Sequence, residues 1–441
     1  MNTDRAAERA ARLLAANLTT HRLTRLPNGI RVATAEMPHM ASVCLGIWVG
    51  IGSRHETAEE NGAAHFIEHM LFKGTISRNA REIVTEVEGL GGYLNAFTAE
   101  DHTCFYARAR GDRWRDLTVI LTDMFFNSTF PAAEVKRERE VIKEERAMYL
   151  DDPAQQTQEM LGDIMWPSHP LGRPIEGTEA SLDNLDRKRL VDFMRSRYGA
   201  ANVIVAAAGG ISHEKLVRLL LRSTEKYHQP GRNDFEPIKS PSRRRRYRFA
   251  KRDIEQTQLA LGIRTCSRLD SHRFPVRLLN AVLAENMSSR LYQVLREEEA
   301  LAYSVDGHPS FLADTGSLGI TAGVDSRRLD RALKLIGIEL DRLRRRAVSK
   351  RELNRARDYV LGQFDLYLES TENHMNWIGE MVLGQNQIVR PSVVKKRLAS
   401  VTASDIKSAA VEFFAPLNLS LAVVGPCRPT RSAVQSLMEC P

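Results

Sequence analysis

Residues 181–210 read SLDNLDRKRLVDFMRSRYGAANVIVAAAGG, and residues 397–426 read RLASVTASDIKSAAVEFFAPLNLSLAVVGP. At a constant offset of 216, Asn202 falls on Asn418 and Gly209 on Gly425. In each copy an amphipathic helical pattern leads into an N-x-x-hydrophobic strand that ends at glycine. A second pair, LGIWVGIGSR ending at Arg54 and ALGIRTCSR ending at Arg268, repeats the likeness earlier in each half. The chain therefore reads as two tandem homologous domains. HQPGRNDFEPIKSPSRRRRYRF, residues 228–249, separates them and has the Pro, Gly, Ser and Asn content of a linker. The expected divisions are an N-terminal extension over 1–22, a first domain over 23–228, a linker over 229–246 and a second domain over 247–441.

Each half reads as strands, then helices, then a closing strand. VCLGIWVGIG (43–52) alternates with period two, as a half-buried strand does. REIVTEVEGLGG (81–92) sets Ile83, Val84, Val87 and Leu90 at helical spacing and stops at Gly91-Gly92. HTCFYARAR (102–110) follows as another strand. This order predicts an α+β class, with helices packed on a largely antiparallel sheet in each half.

Composition narrows the class of function. The 441 residues are 43% hydrophobic and 27% charged, which excludes disorder as the main state and allows a core without disulfides. The five cysteines, Cys44, Cys104, Cys266, Cys427 and Cys440, are dispersed and form no C-x-x-C pair. This argues against a secreted disulfide framework and a cysteine-based zinc finger, and for a reducing compartment. The cytoplasm is the expected location. The start of the chain, with Arg5, Arg9 and Arg12 on one helical stripe, weakly resembles a mitochondrial transit peptide, but Asp4 and Glu8 oppose that; the mitochondrial matrix is the alternative. No 18-residue apolar run marks a membrane span. The net charge of +8 comes from scattered basic residues, clustered only at Arg243–Arg246, with no aromatic-interleaved basic stripe. Neither a nucleic acid nor a membrane is expected as a partner.

The chemistry is concentrated in NGAAHFIEHMLFKGT (61–75), where His65, Glu68 and His69 form H-x-x-E-H. On a helix, residues four apart share a face, so both imidazoles can converge on one metal ion, with Glu68 within reach of a water beside it. A catalytic zinc site commonly has three protein ligands and one open position. KREREVIKEERAMYL (136–150) offers Glu138, Glu140, Glu144 and Glu145 for the third. Spacing does not choose among them, although Glu138 and Glu145, two turns apart, share a face.

The duplication provides a check. Carrying the Arg54–Arg268 register forward sets His65, Glu68 and His69 opposite Leu279, Val282 and Leu283. Aligning VKREREVIKEE with LNRARDYVLGQ sets Glu138 and Glu145 opposite Ala356 and Gln363. The second half thus lacks the cluster, which points to chemistry in the first half and to a scaffold and substrate wall in the second.

AAHFIEHMLFKGT, GGYLNAFTAEDHT, EREVIKEE and SSRLYQVLREEEALAYSV together resemble the signature segments of the M16 (inverzincin) zinc metallopeptidases. The short processing-peptidase subgroup matches best, over about residues 23–425. The resemblance implies that His65, His69 and Glu145 bind one Zn²⁺ and that Glu68 is the general base. It makes Glu138 a supporting acid behind a ligand. Arg296 and Tyr303, in REEEALAY, correspond to a pair that contacts bound peptide, and Asn95 and Ala96 to an edge strand that pairs with it. Ala63, Ala64 and Ile67 depart from the family's usual residues, none of them at a ligand. The glycine-rich loop of the non-catalytic mitochondrial partner subunit is absent; FLADTGSLG (311–319) is too short. The resemblance implies an endopeptidase acting on extended peptides or protein N-terminal segments, working as a homodimer or paired with a related subunit. The alternative is a non-catalytic scaffold or partner subunit.

Overall fold

The structure, a computed structural model, describes residues 19–229, 231–238 and 246–438. The arginine stripe of the N-terminal extension, Arg243–Arg245 of the linker and Cys440 lie outside the described residues. Thr20–Arg25 is already a strand, so the sheet begins before the boundary expected at residue 23.

The first sheet has six strands: β1 (Thr20–Arg25), β2 (Arg31–Glu36), β3 (Ser42–Val49), β4 (Tyr93–Thr98), β5 (Thr103–Arg110) and β6 (Val203–Gly209), ordered β1-β2-β6-β3-β5-β4. All neighbours are antiparallel except β2 and β6. The second sheet has five: β7 (Arg246–Lys251), β8 (Gln256–Thr265), β9 (Ala302–Phe311), β10 (Gly316–Asp325) and β11 (Leu419–Gly425), ordered β7-β11-β8-β10-β9. Here β7 and β11 are the parallel pair. The α+β reading holds: two sheet-and-helix units with one topology, the first carrying an extra strand.

The duplication is accurate at the level of single elements. The helix Arg187–Arg197 and β6 recur as Ala403–Phe413 and β11 at the offset of 216 read from the sequence. Helix α1 (Ala63–Leu71) corresponds to α4 (Arg273–Leu283), and α2 (Ala132–Asp151) to α5 (Lys350–Tyr367). Two further helices, α3 (Pro153–Met165) and α6 (Thr371–Gln385), are also equivalent.

These last two helices break the contiguous division expected from the repeat. One compact unit comprises residues up to Lys143, 175–235 and 365–390; the other comprises 144–174, 236–364 and 391 onward, the first boundary falling inside the continuous helix α2. Helix α6, late in the sequence, packs on β2, β3 and β6, whereas α3, early in the sequence, packs on β7, β8 and β11.

The exchange explains a miss in the strand reading. The alternation in β3 predicts one wet face, yet the strand is buried from Val43 to Val49. Val43, Leu45, Ile47 and Val49 face the main core of the first unit, with Phe66, Ile67, Leu117 and Leu121. The opposite face, Cys44, Gly46 and Trp48, is covered by α6: Trp48 Nε1 points at Met375 Sδ, 3.2 Å away. Val84 was read into the apolar stripe of its helix but is exposed, while Ile83 and Val87 are buried.

Candidate metal centre

Helix α1 starts abruptly. Gly62 takes a left-handed conformation (φ 93°), and a Cβ there would sit 2.7 Å from the Glu176 carbonyl. Glu56 anchors this start: its carboxyl accepts from Gly62 N and Ala64 N, both at 2.8 Å, while Ala63 N donates to the Glu60 carbonyl at 2.9 Å. Burial pushes this carboxyl up to about 8, against the pull of the hydrogen bonds from Ala64, Gly62 and Asn61. From this anchored start, Ala63, Phe66, Ile67, Met70 and Leu71 turn into the core. His65, Glu68 and His69 are left on the opposite side, as the spacing required.

His65 and His69 stack edge to face with ring centroids 4.7 Å apart. One ligand atom each from His65, His69 and Glu145 lie within 4.8 Å of one another, the one such group of three or more among the described residues. Two imidazoles and a carboxylate at this separation match the nitrogen-and-oxygen donor set of a divalent transition-metal site with a position left open. Helix α2 resolves the choice that spacing left open. Glu138 is buried and Glu145 half-buried, while Glu140 and Glu144 are exposed, Glu140 within 3.9 Å of Lys143.

Glu138 sits behind His69. Its Oε2 is 3.1 Å from His69 Nδ1, and its Oε1 takes Lys73 Nζ at 2.7 Å. A carboxylate at Nδ1 makes that nitrogen the proton donor and leaves Nε2 of the neutral ring as the lone-pair nitrogen. Tyr149, one turn beyond Glu145, donates its hydroxyl to Glu145 Oε1 at 3.1 Å. Glu68 Oε2 accepts from Thr98 Oγ1 at 2.6 Å. The sequence reading missed Lys73, Thr98 and Tyr149. Lys73 follows the motif within the same quoted segment, and Tyr149 falls four residues after Glu145, so both lay within reach of helical spacing. Thr98 arrives from another strand, and no local pattern announces it.

Asn95 and Ala96 lie in β4, an edge of the first sheet that pairs only with β5 among the described strands. Asn95 Oδ1 accepts from the Ala96 N–H at 2.9 Å. In the second unit Arg296 and Tyr303 meet each other: Arg296 Nη1 donates to the Tyr303 carbonyl at 2.8 Å, and its guanidinium lies 5.3 Å from the Tyr303 ring centroid. Tyr303 is the extra residue of a bulge in β9, since Gly323 faces Ser304 and Val324 faces Ala302. The bulge turns the tyrosine outward, 73% exposed.

Fold and site define a duplicated α+β protein with a His-His-Glu metal-type cluster in its first half. Residues 31–179 match the family model described as insulinase (peptidase family M16), and residues 184–360 match the peptidase M16 inactive domain. An uncharacterized zinc protease of Streptomyces coelicolor is 35% identical over 93% of this chain and 90% of its own. Another, from Bacillus subtilis, is 33% identical over 90% of this chain and 97% of its own. The crystal structure of a protease from Helicobacter pylori superposes with a TM-score of 0.84 at 21% identity, covering 93% of this chain and all of that one, which is a likeness of fold. The chain belongs to peptidase family M16.

Proposed function

We propose that this protein is a zinc-dependent endopeptidase acting on extended polypeptide. The observation that carries the reading is the convergence of His65, His69 and Glu145 within 4.8 Å. The family membership and the zinc-protease names of the relatives support zinc as the ion and peptides as the substrates. When bound, such an ion supplies Lewis acidity, which acidifies water and polarises a carbonyl. Glu68 takes the proton of the attacking water and passes it to the leaving amine. Glu138, itself held by Lys73, holds His69, and Tyr149 holds Glu145, so the ligand set keeps its geometry through turnover. β4 supplies the backbone edge, at Asn95 and Ala96, on which an extended peptide adds as a strand. Arg296 and Tyr303 are assigned to contact with the bound peptide, where a donor lost from developing negative charge typically costs about 3 kcal/mol.

The match to an inactive domain falls on 184–360 and includes none of the three ligands, so it does not favour the scaffold reading. As a proposal from the resemblance, two chains pair to work, and the mass in solution tests this. The decisive experiment measures zinc per chain and cleavage of a quenched fluorescent peptide, with and without chelator. Glu68→Gln should retain zinc and lose cleavage by about 10²-fold or more. Full turnover by that variant, or an active protein free of metal, would overturn the reading.

A further inference from the structure

The hydroxyl of Thr98 donates to Glu68 Oε2 at 2.6 Å, a short charge-assisted geometry. We infer that Thr98 is a positioning residue for the proton-transferring carboxylate, and that it ties this carboxylate to the strand on which the substrate is added. The inference rests on the proposed role of Glu68.

The period of two in β4 puts Thr98 on the right face. Leu94 and Ala96 pack against the core of the first unit, so Thr98, two residues on, turns to the same side, where α1 packs on β4. Asn95 and Phe97 face the other way, and Phe97 meets Trp48 edge to face at 5.6 Å. Thr98 is the last residue of β4 and pairs with Thr103 at the turn into β5. A β-branched residue is stiff at χ1, so strand geometry fixes the direction of the hydroxyl. Glu68 has three side-chain torsions beyond the backbone that the helix fixes. A firm donor at its tip restricts where the carboxylate lies. The same β4 backbone, two and three residues earlier, is the edge offered to an incoming chain. A shift of β4 when a peptide pairs with it therefore moves the donor to Glu68 as well. In the second half the position of Glu68 is Val282, buried in the core, where there is no carboxylate to hold.

The test uses the zinc-loaded full chain with Thr98→Val, which keeps the shape and removes the donor, and Thr98→Ser, which returns a hydroxyl. The expected result for Thr98→Val is a kcat lower by about 10- to 100-fold, with KM within about twofold, and with zinc content and Tm unchanged. Thr98→Ser should recover most of the lost kcat. In the Glu68→Gln background Thr98→Val should cause no further loss. Wild-type kcat in Thr98→Val overturns the inference, as does a loss confined to KM, a loss that Thr98→Ser fails to recover, or an additive loss in the Glu68→Gln background. A fully active Glu68→Gln would instead overturn the proposed base, so the two failures are distinguishable.

Discussion

Helices α1 and α4 occupy the same place in the two halves and use the same face differently. In α1 that face carries His65, Glu68 and His69. In α4 the equivalent Leu279, Val282 and Leu283 are 1%, 2% and 0% exposed and belong to the main core of the second unit. The acids of α2 are also replaced: Glu138 and Glu145 correspond to a buried Ala356 and an exposed Gln363 in α5. One scaffold can therefore either bury this helix face or keep it polar for chemistry. The contrast shows that the metal cluster is not required by the fold, because the fold exists without it in the same molecule.

A second contrast concerns the exchanged helices. At Trp48 the first sheet's strand supplies the bulk and the helix the gap: a Cβ on Gly379 would lie 2.5 Å from the Trp48 indole. Against the second sheet the order is reversed, since Gly262 occupies the position of Trp48 and lies under Leu161 and Met165 of α3. At this one position the bulky side chain and the glycine change sides between the two contacts.

The strongest way to break the first contrast is to write the second half's residues into the first. The triple variant His65→Leu, Glu68→Val, His69→Leu should bind no zinc and cleave nothing, while its Tm stays at or above that of the parent, because apolar groups replace polar ones on a face the fold can bury. Metal analysis and a thermal melt read both results; collapse of the fold would show the polar face to be structural. Next, Glu138→Ala should weaken zinc binding by about 10- to 100-fold, measured by competition with a chromophoric chelator, because His69 loses the partner that sets its tautomer. Gly379→Ala should cost about 1–3 kcal/mol in denaturant unfolding, since the indole opposite is rigid and fully buried.

The smallest effect is one of pH. His21 of β1 and His374 of α6 meet through their Nε2 atoms at 2.8 Å. Burial first, then His374 and Arg390, lowers His21 from 6.5 to about 4. A base depressed in the folded state contributes stability that is fully present above pH 6.5 and is lost as pH falls through about 4. His21→Gln should therefore flatten the decline of Tm between these limits, and an unchanged slope would remove His21 from the account.

Much of this architecture was legible in the chain. The duplication was visible because Asn202–Gly209 and Asn418–Gly425 keep both pattern and spacing, and the ligand pair because a helix converts a spacing of four into one face. Glu145 needed the likeness to known peptidases, since Glu138, Glu140, Glu144 and Glu145 are locally equivalent and only tertiary packing separates the buried from the wet. The exchange of α3 and α6 was invisible for a related reason. Periodicity reports that a helix has an apolar face but not which sheet it covers, and β3 read as half-wet because its second cover lies more than three hundred residues away.

That cover has a consequence for how the protein is made. While the polypeptide emerges from the ribosome, the face formed by Cys44, Gly46 and Trp48 lacks its helical cover until Thr371–Gln385 has been synthesised. The first unit cannot finish packing before that helix has been made, and a product interrupted earlier would present an oily surface to chaperones and proteases.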